Sequence, residues 1–212
     1  MSAGIKRVGS AGEHALQSRC GTTQRAQAFY EQQMRDRLNP AMRKFLARME
    51  LMFVSTADAH GECDCSVRAG QPGFVCVLDE RTLAYPEYRG NGVMASLGNI
   101  TENGHVGLLF VDFLRSTVGM HINGRAHVVE NEDLLRRPKL PAKVREAIAK
   151  ESPRADSCAE PSAERWVVVE IIEAYIHCSK HLPRFQKVSK TIHWGTDSMR
   201  HKGGDFFHVK AT

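Results

Sequence analysis

The stretch PGFVCVLDERTLAYPEYRGNGVMASLGNITENGHVGLLFVDF, residues 72–113, decides the fold. Two β-rich runs, PGFVCVL and TLAYP, stand on either side of a charged turn at residues 79–81, which is typical of paired strands. A glycine-bracketed loop, residues 89–92, then leads into VMASLGNITEN, whose spacing predicts a short helix. The apolar run HVGLLFV that follows predicts a buried strand.

The loop at residues 89–92 is a candidate anion site. The N-terminus of a helix presents unpaired backbone N–H groups and the positive end of the helix dipole. An ordinary loop whose glycines adopt positive φ explains the same residues, so the loop alone leaves both interpretations open. With two apolar strands beside it, the segment suits a flat, apolar cofactor that carries a phosphate.

The rest of the chain predicts a mostly-β domain with helical additions. LMFVSTADA and ECDCSVR read as two strands joined by a turn in which Gly61 supplies positive φ. Residues 120–128 alternate between apolar and polar side chains, and WVVVEIIEAYIHC reads as a final long strand. We therefore predict a helical arm at residues 1–50, a β domain at residues 51–178 with a helical excursion at residues 132–161, and a tail at residues 179–212 that packs on the barrel or on a partner subunit.

Within the arm, the sequence predicts two helices. TTQRAQAFYEQQMRDRL begins with a threonine cap candidate and runs without a helix breaker to Asn39, and Pro40 suits the first turn of the second helix.

Composition narrows the classes of function. The 212 residues are 42% hydrophobic, and the net charge of +5 comes from basic residues concentrated near both ends. The basic residues lack interleaved aromatics, so arms that lie on an acidic partner subunit are favoured over nucleic acid binding. No apolar run approaches the ~20 residues that span a bilayer, and no signal core begins the chain, so we expect a cytoplasmic protein with no membrane contact.

Several common sites have no support in the sequence. Six cysteines are expected to stay reduced, and Cys63 and Cys65 lack a second ligand pair at zinc spacing, so no metal is predicted. The glycine-rich fingerprints of dinucleotide-binding and P-loop proteins and the nucleophile elbow of serine hydrolases are also missing.

The ordered string of motifs resembles the FMN-binding split-barrel family of pyridoxamine 5′-phosphate oxidase-like proteins. The resemblance is carried by FVSTADAHGECDCS (53–66), PGFVCVLDERTLAYPEYRGNG (72–92), SLGNITENGHVGLLFVDF (96–113), INGRAHVVE (122–130) and AYIHCSKHLP (174–183). It implies a β-barrel with peripheral helices, namely a six- or seven-stranded antiparallel split barrel of the FMN-binding type. It also implies a homodimer whose cofactor clefts are built from both subunits, and an FMN-dependent oxidoreductase acting on a small organic substrate.

The resemblance also assigns candidate cofactor-binding residues, although it assigns no catalytic residue. Backbone groups of two strands are expected to form the flat wall and to satisfy the ring's polar edge, at Phe74, Val75, Cys76, Val77, Tyr85 and Pro86. The phosphate is expected at Arg89, Asn91, Gly92 and Ser96, with Asn99 as a weaker candidate. His121 and Arg125 are candidates on the polar face of the strand at residues 120–128, a face that simple solvent exposure would explain equally well.

Two departures from the family pattern leave the cofactor open. Ala95 stands where relatives often carry a phosphate-gripping arginine, and Cys76 stands where they often carry a basic residue. Loss of one charge-assisted contact, ~1.5–3 kcal/mol, weakens FMN binding unless Arg68 or Arg89 compensates. The alternatives are a deazaflavin-dependent reductase on the same barrel and a non-catalytic flavin-binding or sensor protein. Oxidation of vitamin B6 itself is less favoured, because the resemblance is to the broader family.

Overall fold

The computed structural model describes residues 8–88, 90–138, 140–151, 163–192, 198–201 and 204–209. Seven strands form one antiparallel sheet in the order β2–β1–β5–β6–β7–β4–β3. Their bounds are β1 Leu51–Ala57, β2 Cys63–Ala69, β3 Cys76–Val77, β4 Thr82–Glu87, β5 His105–Val111, β6 Gly119–Val129 and β7 Arg165–His177. Within the described ranges β2 and β3 each pair on one side only, so the sheet is not closed. The prediction of a mostly-β split barrel with seven strands is confirmed.

The described residues also form six α-helices. They are α1 Ala11–Arg19, α2 Thr23–Gln32, α3 Pro40–Leu46, α4 Ala95–Glu102, α5 Asn131–Leu135 and α6 Ala142–Glu151, with 3-10 turns at Ser179–His181 and Met199–His201. Pro40 opens α3 as predicted, and the Asn39 side chain caps it by accepting a hydrogen bond from the Met42 amide at 2.9 Å. Much of the predicted excursion at residues 132–161 is α5 and α6, and residues 152–161 lie outside the described ranges.

One prediction about the arm is wrong. The helix that was expected to run to residue 38 ends at Gln32, because the backbone of Arg35 forms an isolated bridge with Ala174 of β7. The tertiary pairing overrides local helix propensity. Thr22 is the N-cap residue of α2, as predicted, although its side chain makes no cap hydrogen bond. The sequence pattern does not predict α1, which has a Ser10–Glu13 capping box. The ring of Phe29 on α2 lies edge-on to the ring of Tyr175 on β7 of the same chain, with centroids 5.8 Å apart.

The predicted strand PGFVCVL is also shorter than expected, because only Cys76 and Val77 pair with β4. Before them, Gly73 adopts a φ of 81° and the Phe74 amide donates to the Gln71 carbonyl at 2.9 Å, so the chain turns there instead of extending.

The core lies on the inner face of the sheet. The alternation predicted for residues 120–128 is confirmed, since Met120, Ile122 and Ala126 are buried while Arg125 and His127 are exposed. A second apolar cluster packs α5 and α6 against the other side of β4 and β7 around Trp166, and it includes Cys76.

The described part of the tail after β7 contains two 3-10 turns and no strand. Phe185 stacks on Phe113 with ring centroids 4.8 Å apart, and its amide donates to the Phe113 carbonyl at 2.8 Å. His193 and Trp194 lie outside the described residues. Among the helices that the structure describes, none has the length and apolar character to cross a membrane.

Candidate functional site

An open cleft of about 1030 Å³ lies between β2, the end of β4, the loop at residues 90–94 and α4. A face of β2 and the start of α4 therefore border the same cleft. The lining residues are Asp64, Ser66, Val67, Arg68, Ala69, Glu87, Tyr88, Gly90, Asn91, Gly92, Val93, Met94, Ala95, Ser96, Leu97, Glu164 and Arg165. The volume is at the upper end of the range that small-molecule and cofactor pockets occupy.

One wall of the cleft is a row of polar side chains on β2. Asp64, Ser66 and Arg68 occupy alternate positions, and alternate residues of a strand share a face. In the register with β1, Ser66 lies opposite the buried Val54. The row therefore faces the inner side of the sheet, where α4 and the end of β4 meet it.

A continuous chain of hydrogen bonds runs through this row. Arg68 Nε donates to Glu87 Oε1 at 2.7 Å, and Arg68 Nη1 donates to Ser66 Oγ at 2.8 Å. Ser66 Oγ lies 3.0 Å from Ser96 Oγ, and Ser96 Oγ donates to Asp64 Oδ2 at 2.7 Å. Because Ser96 belongs to α4 and Glu87 to β4, these hydrogen bonds join β2, α4 and β4 at the cleft.

Glu87 is the buried carboxylate in this chain of hydrogen bonds. Burial raises its pKa, and the hydrogen bond and charge of Arg68 oppose that shift without cancelling it. The nearby Tyr85 hydroxyl is buried and has no hydrogen-bond partner among the described residues, and burial together with the Glu87 charge raises its pKa. The end of β4 is thus poorly solvated, and Arg68, together with the more distant charge of Arg165, offsets part of the cost of the Glu87 charge.

The loop before α4 is built by its own backbone. Gly92 has a φ of 84°, and an added Cβ would meet nothing within 4 Å, so glycine serves the backbone conformation there. Asn91 Oδ1 accepts from the Val93 amide at 3.0 Å. Met94, at a φ of 55°, precedes α4 without a side-chain cap. The first turn of α4 is therefore open to an acceptor from a ligand.

Of the residues predicted from the sequence, three come together in the cleft. Asn91, Gly92 and Ser96 all line it, as does Ala95. Arg89 lies outside the described residues. Asn99 lies one turn further along α4, where its Nδ2 donates to Thr56 Oγ1 at 3.1 Å instead of lining the cleft.

The predicted ring wall lies beside the cleft rather than in its lining. The side chains involved are mostly buried: Phe74, Val75 and Tyr85 belong to the main core, Cys76 to the cluster around Trp166, and Pro86 is paired with Trp166 in the sheet, while Val77 is half-buried. The chain reaches the cleft one residue later, at Glu87 and Tyr88.

His121 and Arg125 lie on the outer face of β6, away from this lining. His121 Nε2 lies 2.9 Å from His177 Nδ1, and its ring stacks on Tyr175 with centroids 4.8 Å apart. Burial lowers the pKa of His121, as does the neighbouring His177. Arg125 is exposed and pairs in the sheet with His105 and Glu170. Their role at a cofactor remains a prediction.

Sequence reasoning missed most of the lining, including its polar side chains Asp64, Ser66, Glu87, Tyr88, Glu164 and Arg165, whereas Arg68 was named only as a compensating charge. The alternation in DCSVR places Asp64, Ser66 and Arg68 on one face and was the available signal. Among the described residues, no group of three or more His, Cys, Asp or Glu side chains is placed to hold a metal ion.

Comparisons with known proteins point to one family. The family model described as pyridoxamine 5′-phosphate oxidase matches residues 38–178. A search of curated proteins finds no match.

The chain is also similar to solved structures. One is HupZ from Group A Streptococcus, with 19% identity and a TM-score of 0.45, covering 65% of this chain and 91% of that one. Another is a putative pyridoxamine 5′-phosphate oxidase from Listeria innocua, with 18% identity and a TM-score of 0.40, covering 63% and 92%. A third is an F420 reductase, with 11% identity and a TM-score of 0.40, covering 66% and 98%. At these identities the assignment to a family rests on the family model.

Proposed function

This chain belongs to the pyridoxamine 5′-phosphate oxidase family, and on that premise we propose that its cleft binds FMN for the oxidoreduction of a small organic substrate. The observation that carries the proposal is the meeting of a cleft of about 1030 Å³ with a helix start that lacks a side-chain cap. The helix dipole and the first-turn amides favour an anion at that point.

The chemistry of the lining fits a flavin with a phosphate. Val93, Met94 and Leu97 supply apolar surface, and Val93 and Met94 are 71% and 50% exposed. A ring that covered these two side chains would gain roughly 25 cal/mol for each Å² removed from water. The start of α4, with Asn91, Gly92 and the amides of its first turn, would hold the phosphate, whereas the Ser96 hydroxyl donates to Asp64.

Among the described residues of the lining, positive charge comes from two arginines. Arg68 is committed to Glu87, while Arg165 Nε lies 4.0 Å from Glu130 and has no hydrogen-bond partner among the described residues. Because Ala95 supplies no charge, we expect affinity for FMN in the micromolar range. A bound flavin supplies the hydride chemistry, and the chain supplies position, electrostatics and access.

A deazaflavin coenzyme is the second candidate. Two features favour it: Ala95 in place of a phosphate-gripping cation, and the Asp64 carboxylate within the same lining. Both weaken the case for a tightly held terminal phosphate dianion. A flavin-binding protein without turnover is a third reading, and the substrate, a small molecule, stays unassigned.

We also propose that the protein is a C2 homodimer that covers the outer face of β2. Cys63, Cys65 and Val67 alternate along this edge strand and are exposed, Val67 by 55%. Burial of such a strip by a second copy is the usual solution for symmetric oligomers. The partner would also narrow the open cleft, which is expected if both subunits build the cofactor site.

The cofactor is tested by equilibrium titration of the purified protein with FMN and with a reduced deazaflavin coenzyme, followed by fluorescence and absorbance. Saturable quenching of FMN at micromolar concentration is expected. Binding of the deazaflavin alone would transfer the assignment to the second candidate, and binding of neither would refute a flavin site.

A further inference from the structure

We infer that Asp64 determines the ligand specificity of the cleft. Its carboxylate accepts the hydrogen bond of the Ser96 hydroxyl and disfavours a phosphate dianion beside Ser96. This inference rests on the proposed function. It starts from the direction of the hydrogen bonds in this row, which follows because a carboxylate only accepts and a guanidinium only donates.

Each serine hydroxyl has one proton to donate. Asp64 Oδ2 is a carboxylate oxygen and accepts, so the Ser96 proton points to Asp64 at 2.7 Å. Ser96 therefore cannot donate to Ser66, and the 3.0 Å contact between the two hydroxyls is a donation from Ser66. Arg68 Nη1 donates to Ser66 Oγ at 2.8 Å. Both hydroxyl protons are thus committed within the protein.

A ligand that reaches these serines therefore meets oxygen lone pairs. A dianionic phosphate has only acceptor oxygens, so it would have to take the Ser96 proton from Asp64 and leave that carboxylate without its donor. It would also stand within several ångströms of a like charge. A ligand hydroxyl, such as those of a ribityl chain, can donate to either serine without disturbing the row.

The position of Ser96 makes the effect specific. Its side chain is buried, with a relative exposure of 4%, so solvent competes weakly for its proton. Asp64 is half-buried and lines the same cleft. The charge of one carboxylate, acting on a dianion at about 5 Å, corresponds to roughly a tenfold change in affinity even in a solvent-like dielectric.

The test compares Asp64→Asn with the parent protein for three probes: FMN, riboflavin and inorganic phosphate. Asparagine keeps the shape and the acceptor oxygen but removes the charge. Glu62→Gln is the matched control, because Glu62 is exposed on the same hairpin, lies outside the lining and makes the same change in net charge. Asp64→Ser provides a second removal of the charge if the asparagine variant folds poorly.

We expect Asp64→Asn to raise the ratio of FMN to riboflavin affinity about tenfold, with Glu62→Gln leaving it unchanged. The gain should be smaller in an Ser96→Ala background, because the freed hydroxyl carries part of it. An unchanged ratio in Asp64→Asn, or an equal gain in Glu62→Gln, would overturn the inference.

Inorganic phosphate separates this inference from the proposed function. If no flavin binds any variant but phosphate raises the melting temperature of Asp64→Asn more than that of the parent, the flavin assignment fails and the role of Asp64 stands. If phosphate shifts both proteins equally, or neither, the role of Asp64 is refuted.

Discussion

Replacing Arg68 by Met tests the electrostatics of the cleft wall. Arg68 Nε lies 2.7 Å from Glu87 Oε1, and the two side chains are 20% and 8% exposed. Methionine keeps the apolar bulk but leaves the Glu87 carboxylate buried without its cation. Removing one partner of a buried pair costs about 3–5 kcal/mol, and the partial exposure of Arg68 favours the lower end. A loss of about 3 kcal/mol lowers the melting temperature of a protein of this size by about 6–12 °C.

The loss of stability in Arg68→Met should depend on pH, and the direction of the Glu87 pKa shift decides whether the loss is larger at high or at low pH. Burial already raises the pKa of Glu87 above its ordinary value of 4.5 with Arg68 present, and loss of Arg68 raises it further. The folded state then prefers the protonated acid, so the stability of Arg68→Met recovers as the pH falls through the raised pKa towards the ordinary value.

Urea unfolding at about pH 8 and about pH 5 measures both effects. Arg68→Met should be strongly destabilised at the higher pH and much less at the lower, and Arg68→Met with Glu87→Gln should be more stable at the higher pH than Arg68→Met alone. Arg136→Met breaks an exposed pair, 76% and 58% exposed, and should change stability by less than about 1 kcal/mol. Equal losses at both pH values, or no recovery in the double variant, would refute the reasoning.

Three further variants test other parts of the structure. Gly92→Ala should cost about 1 kcal/mol because its φ is 84°, whereas Gly98→Ala, inside α4 and in open space, should stabilise by about 0.5–1 kcal/mol; a thermal melt compares them, and equal effects would contradict the account. Asp112→Asn should cost about 1.5–3 kcal/mol at neutral pH, since burial tends to raise the pKa of Asp112 but hydrogen bonds from Ser116, Arg115 and Arg48 lower it below 3.8. The stability difference between Asp112→Asn and the parent should shrink as the pH falls below the ordinary pKa of an aspartate, and a difference that does not change with pH would contradict this prediction. Val67→Arg should dissociate the proposed dimer in light scattering, while Val188→Arg, at a site 81% exposed, should not; a monomeric parent would refute the dimer.

Strands with a strong pattern could be predicted from the sequence. HVGLLFV is β5 residue for residue, and the alternation along β6 matches its burial. The loop that leads to α4 could also be predicted from the sequence, because its glycines and the helical spacing after it are local signals. The end of α2 could not be predicted, since it depends on a bridge between Arg35 and Ala174, which are far apart in the chain.

The cleft wall shows where local reasoning stops. The alternation in β2 could place Asp64, Ser66 and Arg68 in a row, but only the tertiary structure sets Ser96 against Ser66 and Glu87 against Arg68. The ring wall that the sequence analysis assigns to backbone groups of two apolar strands stays a prediction, and the side chains of these strands belong mainly to two cores. Apolar strand residues are alike in sequence whether they face a cofactor or a core.

The most direct test of the central claim is the comparison of FMN with riboflavin by fluorescence titration of the parent protein. The two ligands share the ring and the ribityl chain and differ in the phosphate, so the ratio of their dissociation constants reports the proposed anion site at the start of α4. The account predicts micromolar binding of FMN that is at least about tenfold tighter than that of riboflavin, equivalent to about 1.4 kcal/mol. Equal binding of the two ligands would contradict it.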